Sequence, residues 1–247
     1  MTQKALADVP RLLKNFEQTF SLYQPTSSVS KLNMMGRLRN PNALMRGLMD
    51  RADQAYQLTD GGFDPTVQPV WDAMARGRDV GRTQDAIGWH RVRSSDDMIE
   101  LQTGQALTFN GIAQGFATDV MRLLLAKHGA KQALINIGEQ AAMGGPFTLG
   151  LEDPEHGHIG TRELSDRAVA TSSPGALRFG NHSHILSPKG DTPRWSTVSI
   201  EAQSATFADA LSTAAVFMDE DALKRLKVRA NLHRITTVDA EANIRTI

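Results

Sequence analysis

Apolar positions recur at helical spacing from the start of the chain. Over 5–22, Leu6, Val9, Leu13, Phe16 and Phe20 share one side, with Lys14 and Glu17 on the other. That spacing predicts an amphipathic first helix. Residues 24–33 (QPTSSVSKLN) break the period and read as turn chemistry. Asn40 and Pro41 read as an N-cap and first-turn pair. They open a helix whose stripe Leu44, Leu48, Ala52, Ala55 runs to about Leu58, where Gly61 and Gly62 stop it. Residues 97–109 predict a hairpin: strand MIELQ, a Thr103-Gly104 turn, then strand ALTF. A helix follows over 113–128, with Val120, Leu123 and Leu124 apolar, then the buried-type strand ALINI (133–137) and a turn at Gly144, Gly145 and Pro146.

From 147 to 201 short strands alternate with Gly/Pro/Asn loops. Helices are predicted over 205–218 and near 221–228, and 233–247 closes as a hairpin turning at DAEAN. No fixed-period repeat or linker divides the chain. Elements come in clusters rather than in βα alternation. The expected fold is therefore α+β, a single domain over 1–247. Its sheets should be mixed or mostly antiparallel, flanked by helices, with two lobes and a site between them.

Charge narrows the partners. Of 247 residues, 27 are Lys or Arg and 27 Asp or Glu, so the formal net charge is zero. That argues against nucleic acid or a polybasic membrane patch. With no cysteine, a disulfide framework, a thiolate zinc site, an iron–sulfur cluster and a cysteine nucleophile are all excluded. No window is long and apolar enough to predict a transmembrane helix. The first twenty residues hold no apolar signal-peptide core. The chain as it stands reads as cytoplasmic, or periplasmic if an extension upstream of Met1 carries an export signal.

Candidate chemistry is sparse. Neither G-x-x-x-x-G-K-[ST] nor G-x-G-x-x-G occurs. Residues 111–115 (GIAQG) at a helix start are either a tight turn or a phosphate cradle of backbone N–H groups. His156/His158 and His182/His184 are H-x-H pairs, which share a face when on a strand and could then bind a metal. The first pair equally suits a solvated loop. Asp209 and Thr213, four apart on a helix, form a hard-oxygen pair suited to Mg²⁺. The same segment also reads as a plain helix N-terminus, capped by Ser204 with Asp209 exposed. A Ser172 or Ser173, His184, Asp209 hydrolase triad is conceivable, without the G-x-S-x-G elbow that would support it.

Together these segments resemble the ApbE family, the FAD:protein FMN transferases, from about Ser21 to Asp219. Residues 21–33 (SLYQPTSSVSKLN) resemble S-x-Y…S-x-x-S-x-x-N, and 61–67 (GGFDPTV) with Pro69 resembles G-x-F-D-P-T-V…P. Residues 110–119 (NGIAQGFATD) resemble G-G-I-A-K-G-Y-A-x-D, and 136–138 (NIG) resembles N-x-G. Thr171-Ser172, 184–188 (HILSP) and 208–213 (ADALST) resemble T-S-G, H-I-x-D-P and A-D-A-x-x-T. The resemblance implies Mg²⁺-dependent transfer of FMN from FAD to a Thr or Ser of an acceptor flavoprotein, with release of AMP. By position, Asp209, Thr213 and the Gly111 carbonyl would hold the metal. Tyr23, Thr108, Gln114 and Ile185 would contact FAD, and Gly138 would lie beside it. His184 would sit near the reacting phosphate, and an imidazole there suits a base for the acceptor hydroxyl.

The sequence also departs from the family pattern. Thr108 replaces an Asp, Gln114 a Lys and Ser187 an Asp, and the Gly-Gly-Asp/Asn turn reads Gly138-Glu139-Gln140. No counterpart of the family's M-G-T strand precedes the first helix, which would open one side of the flavin site. Two alternatives follow: an FAD pyrophosphatase releasing FMN and AMP, or a non-catalytic flavin-binding or assembly factor.

Overall fold

The computed structural model describes residues 3–180 and 182–247, with the side chains of residues 3–6 left out; Leu6 therefore lies outside the description, as does Asn181. Its helices are α1 (Gln3–Phe20), α2 (Ser28–Met35), α3 (Ala43–Leu58), α4 (Gln68–Ala75), α5 (Ala113–Lys127), α6 (Ala205–Ala215) and α7 (Glu220–Arg229). Strands β1 (Arg37–Arg39), β2 (Arg93–Ser94) and β3 (Met98–Glu100) form a small sheet. Strands β4 (Ala133–Asn136), β5 (Gln140–Met143), β6 (Phe147–Asp153), β7 (Gly157–Leu164) and β8 (Ala168–Ser172) follow. Then come β9 (Arg178–Phe179), β10 (His182–Ser183), β11 (Thr197–Ala202), β12 (Arg234–Val238) and β13 (Ile244–Thr246). The principal sheet runs β13-β12-β11-β8-β5-β4, antiparallel throughout. This is the expected α+β organisation.

Two apolar cores flank α6. One joins Phe16 and Phe20 of α1, Leu48 of α3 and Phe109 to Ala210 and Ala214 of α6. The other joins Val198, Ile200 and Ile235 of the sheet to Ala208, Leu211 and Ala215. Alternate faces of one helix thus serve both cores, and its run of alanines lets neighbours approach closely. The α1 stripe behaves as predicted: Val9 and Leu13 pack with Met121 and Leu125 of α5.

Three expectations fail for local reasons. Residues 28–35 are helical rather than turn: Ser27 accepts the Ser30 N–H as N-cap, while the Ser27 and Ser30 hydroxyls donate to the Ser21 carbonyl. The N-cap of α3 is Asn42, which accepts the Met45 N–H, not Asn40, which sits at φ +47°. ALTF forms no strand. The Asn33 carboxamide takes both backbone groups of Leu107, and Thr108 N–H donates to the Pro65 carbonyl. Strand β3 pairs instead with β1 and β2.

Candidate active site

The NGIAQG segment and α6 are built against each other. Asp119 caps α6, accepting from Ser204 Oγ, from the N–H groups of Ala205 and Thr206, and from Thr206 Oγ1. One turn away, Gly115 N–H donates to Asp209 Oδ2 at 2.9 Å. A Cβ on Gly111 would come within 2.9 Å of Thr213 Oγ1. The three positions 111, 115 and 119 therefore clamp the face of α6 that carries Asp209 and Thr213. Ser204 is the N-cap, as one reading expected, but Asp209 is only 5% exposed rather than solvated.

Asp209 and Thr213 border a cavity of about 340 Å³. Tyr23, Thr108, Gly111, Gln114, His184 and Ile185 line the same space. Gly138 is not among the lining residues: at φ +113° it backs the Gln114 carboxamide, which leaves no room for a Cβ. Ser187 also lies outside, hydrogen-bonding Asp191 and Lys189 N–H. Tyr23 stands at the rim, 84% exposed. Phe63, Trp71, Leu177 and Leu186 supply an apolar wall.

His184 is oriented by its neighbours. Its Nδ1 lies 2.9 Å from the Leu177 carbonyl, and Trp71 Nε1 donates to the His184 carbonyl at 3.1 Å. A carbonyl can only accept, so Nδ1 carries a proton toward Leu177, and Nε2 is the ring nitrogen that this contact leaves unused.

Burial pushes the Asp209 carboxyl above the usual carboxylate range, against the Gly115 hydrogen bond, which lowers it. Burial, and then the Asp209 charge, push Glu139 well above that range too, against a hydrogen bond from the Thr171 backbone. A buried carboxylate, a hydroxyl and a nearby backbone carbonyl are hard oxygens that fit Mg²⁺, which keeps waters and needs few protein ligands. Among the described residues no group of three His, Asp or Glu could hold a metal. Of the first H-x-H pair, His156 lies in the β6–β7 turn with its Nδ1 on Asp153, while His158 is on β7. His182 is on β10, while His184 faces Leu177.

The amides expected to cradle phosphate are partly spent: Ile112 and Ala113 donate to the Phe109 carbonyl, and Gly115 to Asp209. The Ser-His-Asp triad is not assembled by hydrogen bonds: Ser172 bonds Ser212, Ser173 bonds Thr197, and His184 bonds Leu177. Glu139, Asn110 and Trp71 also line the cavity without having been singled out as site residues. A charged residue beside Gly138, just after a buried-type strand, was the available signal for Glu139; Trp71 had none.

Fold and cleft define an α+β protein with a candidate site beside a helix shared by two cores. The chain belongs to the ApbE family, whose profile matches residues 2–235. The FAD:protein FMN transferase of Chlamydia trachomatis is 25% identical over 244 residues, 86% of this chain and 75% of that protein. The Klebsiella pneumoniae FAD:protein FMN transferase is 25% identical over 213 residues, covering 77% and 67%. The crystal structure of Pseudomonas stutzeri flavinyl transferase ApbE, apo form, matches with TM-score 0.85 at 23% identity, over 99% of this chain and 85% of its own. The Thermotoga maritima ApbE protein gives 0.87 at 24%, over 99% and 91%. These two likenesses show the fold. Among the described residues no helix is long and apolar enough to cross a membrane.

Proposed function

We propose that this protein is an FAD:protein FMN transferase that moves FMN from FAD to a Thr or Ser hydroxyl of an acceptor flavoprotein and releases AMP. The observation that carries this reading is the convergence of Asp209, Thr213, Gly111, Thr108, Gln114 and His184 on one cavity. They come from segments that are distant in sequence and that the family resemblance assigns to a single site. Asp209, Thr213 and the Gly111 carbonyl would hold Mg²⁺. When bound, the cation neutralises pyrophosphate oxygens and polarises the phosphorus.

In the transfer, an oxygen–phosphorus bond forms from the acceptor hydroxyl, and the bridging bond to AMP breaks. His184 Nε2 takes the hydroxyl proton, with Leu177 fixing the ring. Positioning and charge neutralisation carry most of such a reaction. Burial, and then the Asp209 charge, push the Glu139 carboxyl well above the usual carboxylate range, which opposes a second negative charge against the phosphates. The apolar wall of Phe63, Trp71 and Leu177 suits a flat aromatic ring system.

Incubation with FAD, Mg²⁺ and a cognate acceptor should raise the acceptor mass by one FMN unit. FAD bound normally with no transfer would overturn the reading. AMP formed without an acceptor would identify a pyrophosphatase. FAD binding indifferent to Mg²⁺ and to Asp209→Ala would identify a binding or assembly factor.

A further inference from the structure

Behind Thr213 runs a short chain of hydroxyls. Ser212 Oγ donates to the backbone carbonyl of Asp209 at 3.0 Å. A carbonyl can only accept, so in this arrangement the Ser212 proton points there and its oxygen is open to accept from Ser172. Ser172 Oγ lies 2.8 Å from Ser212 Oγ and, with the Ser212 proton on that carbonyl, is the donor of this pair. With the Ser172 proton used there, Thr213 is the donor in its long, 3.4 Å contact with Ser172. Ser212 is fully buried, and Ser172 is nearly so where it borders the cavity. The Thr213 oxygen is left with lone pairs alone toward the cavity, beside Gly111.

We propose that Ser172 and Ser212 are positioning residues: they draw the Thr213 proton away from the cavity and make its oxygen an acceptor-only ligand for a hard divalent cation. The inference rests on the cation reading given above. A free hydroxyl rotor would spend part of its time with hydrogen aimed into the cavity, where it repels a cation. The relay removes that orientation before the cation arrives, at the end of strand β8 and on the rigid helix α6.

The test is Mn²⁺ affinity of the full chain without FAD, read by electron spin resonance, with Mg²⁺ as competitor. Ser172→Ala should weaken Mn²⁺ binding about tenfold, the size of a lost hydrogen bond to a ligand group. Ser172→Cys, which keeps the volume with a poorer donor and acceptor, should also weaken it. The melting temperature without cation monitors folding of both. In a Thr213→Val background, Ser172→Ala should have no further effect, because the relay acts only through that hydroxyl. Equal losses in both backgrounds would show a merely structural serine and overturn the proposal, as would no loss in either. Native protein that binds no Mn²⁺ overturns the cation reading as well, whereas native binding untouched by Ser172→Ala and Ser172→Cys overturns the relay alone.

Discussion

The backbone N–H of Gly115 donates to Asp209 Oδ2 at 2.9 Å, fastening the first turn of α5 to the middle of α6. The contact is possible because residue 115 has no side chain. A Cβ there would overlap the Ala205 carbonyl and stand 2.8 Å from Asp209 Cβ. Gly115→Ala should therefore push the two helices apart and cost about 1–3 kcal/mol through overpacking. Urea unfolding would check this, and an unchanged midpoint would show that the clamp is looser than its geometry. Transfer should fall with it, since the same shift moves Asp209 relative to Gly111.

Asp209→Asn separates shape from charge. The carboxamide keeps an oxygen for the Gly115 N–H and nearly the same volume, but it cannot neutralise a cation. Transfer should fall at least about 100-fold, the scale of losing a principal electrostatic group. Burial already disfavours the charged form of this carboxyl, so the cation-free variant should melt no lower than the native protein. The stabilising shift that Mg²⁺ gives the native protein should disappear in the variant. A variant that melts several degrees lower without cation would mean that Asp209 is mainly a structural anchor.

Asp153 is expected to govern acid stability. Burial pushes its carboxyl up, but four donors besides the His156 ring outweigh that and hold it well below the usual carboxylate range. They are Ser196 Oγ at 2.6 Å, Thr197 Oγ1 at 2.7 Å, and the N–H groups of Glu155 and His156 at 2.8 and 2.9 Å. A carboxyl with a depressed folded value contributes stability that is complete above the unfolded value, about 4, and is lost as pH falls below it. The unfolding free energy should thus decline steadily below about pH 4. Asp153→Asn should be less stable at pH 7 by about 2 kcal/mol and show a flatter acid limb. Parallel slopes for the two proteins would assign acid sensitivity elsewhere.

The long helices were legible because their periods are unbroken. The stripe through Leu44, Leu48, Ala52 and Ala55 placed α3, and the closing hairpin was found from its DAEAN turn. Helix α2 was hidden because serines that look like turn residues are its cap and its ties to Ser21. ALTF forms no strand because the partner of Leu107 is a side chain, Asn33, 74 residues away. At the site, the local spacing of Asp209 and Thr213 was visible, but the burial of Asp209 was not. An alanine-rich helix gives no sign that both its faces are covered. The hydroxyl relay joins β8 to α6, and no local pattern encodes that pairing.

Gln114 stands where the family pattern has Lys, and it lines the cavity with its carboxamide against Gly138. In a chain of zero net charge, no overall field draws FAD phosphates inward, so a single local cation counts. Gln114→Lys should tighten FAD by roughly fivefold at low ionic strength, the scale of one partly exposed ion pair, and the gain should shrink with added salt. The new ammonium also faces Asp209 and Glu139, which border the same cavity. It therefore competes with a divalent cation, and the concentration of Mg²⁺ needed for half-maximal transfer should rise. Fluorescence titration of FAD at two salt concentrations, with a Mg²⁺ titration of transfer, reads both effects. Tighter FAD with unchanged Mg²⁺ demand would place the Lys ammonium away from Asp209, toward the mouth of the cavity. Unchanged FAD affinity would mean that residue 114 does not face the phosphates.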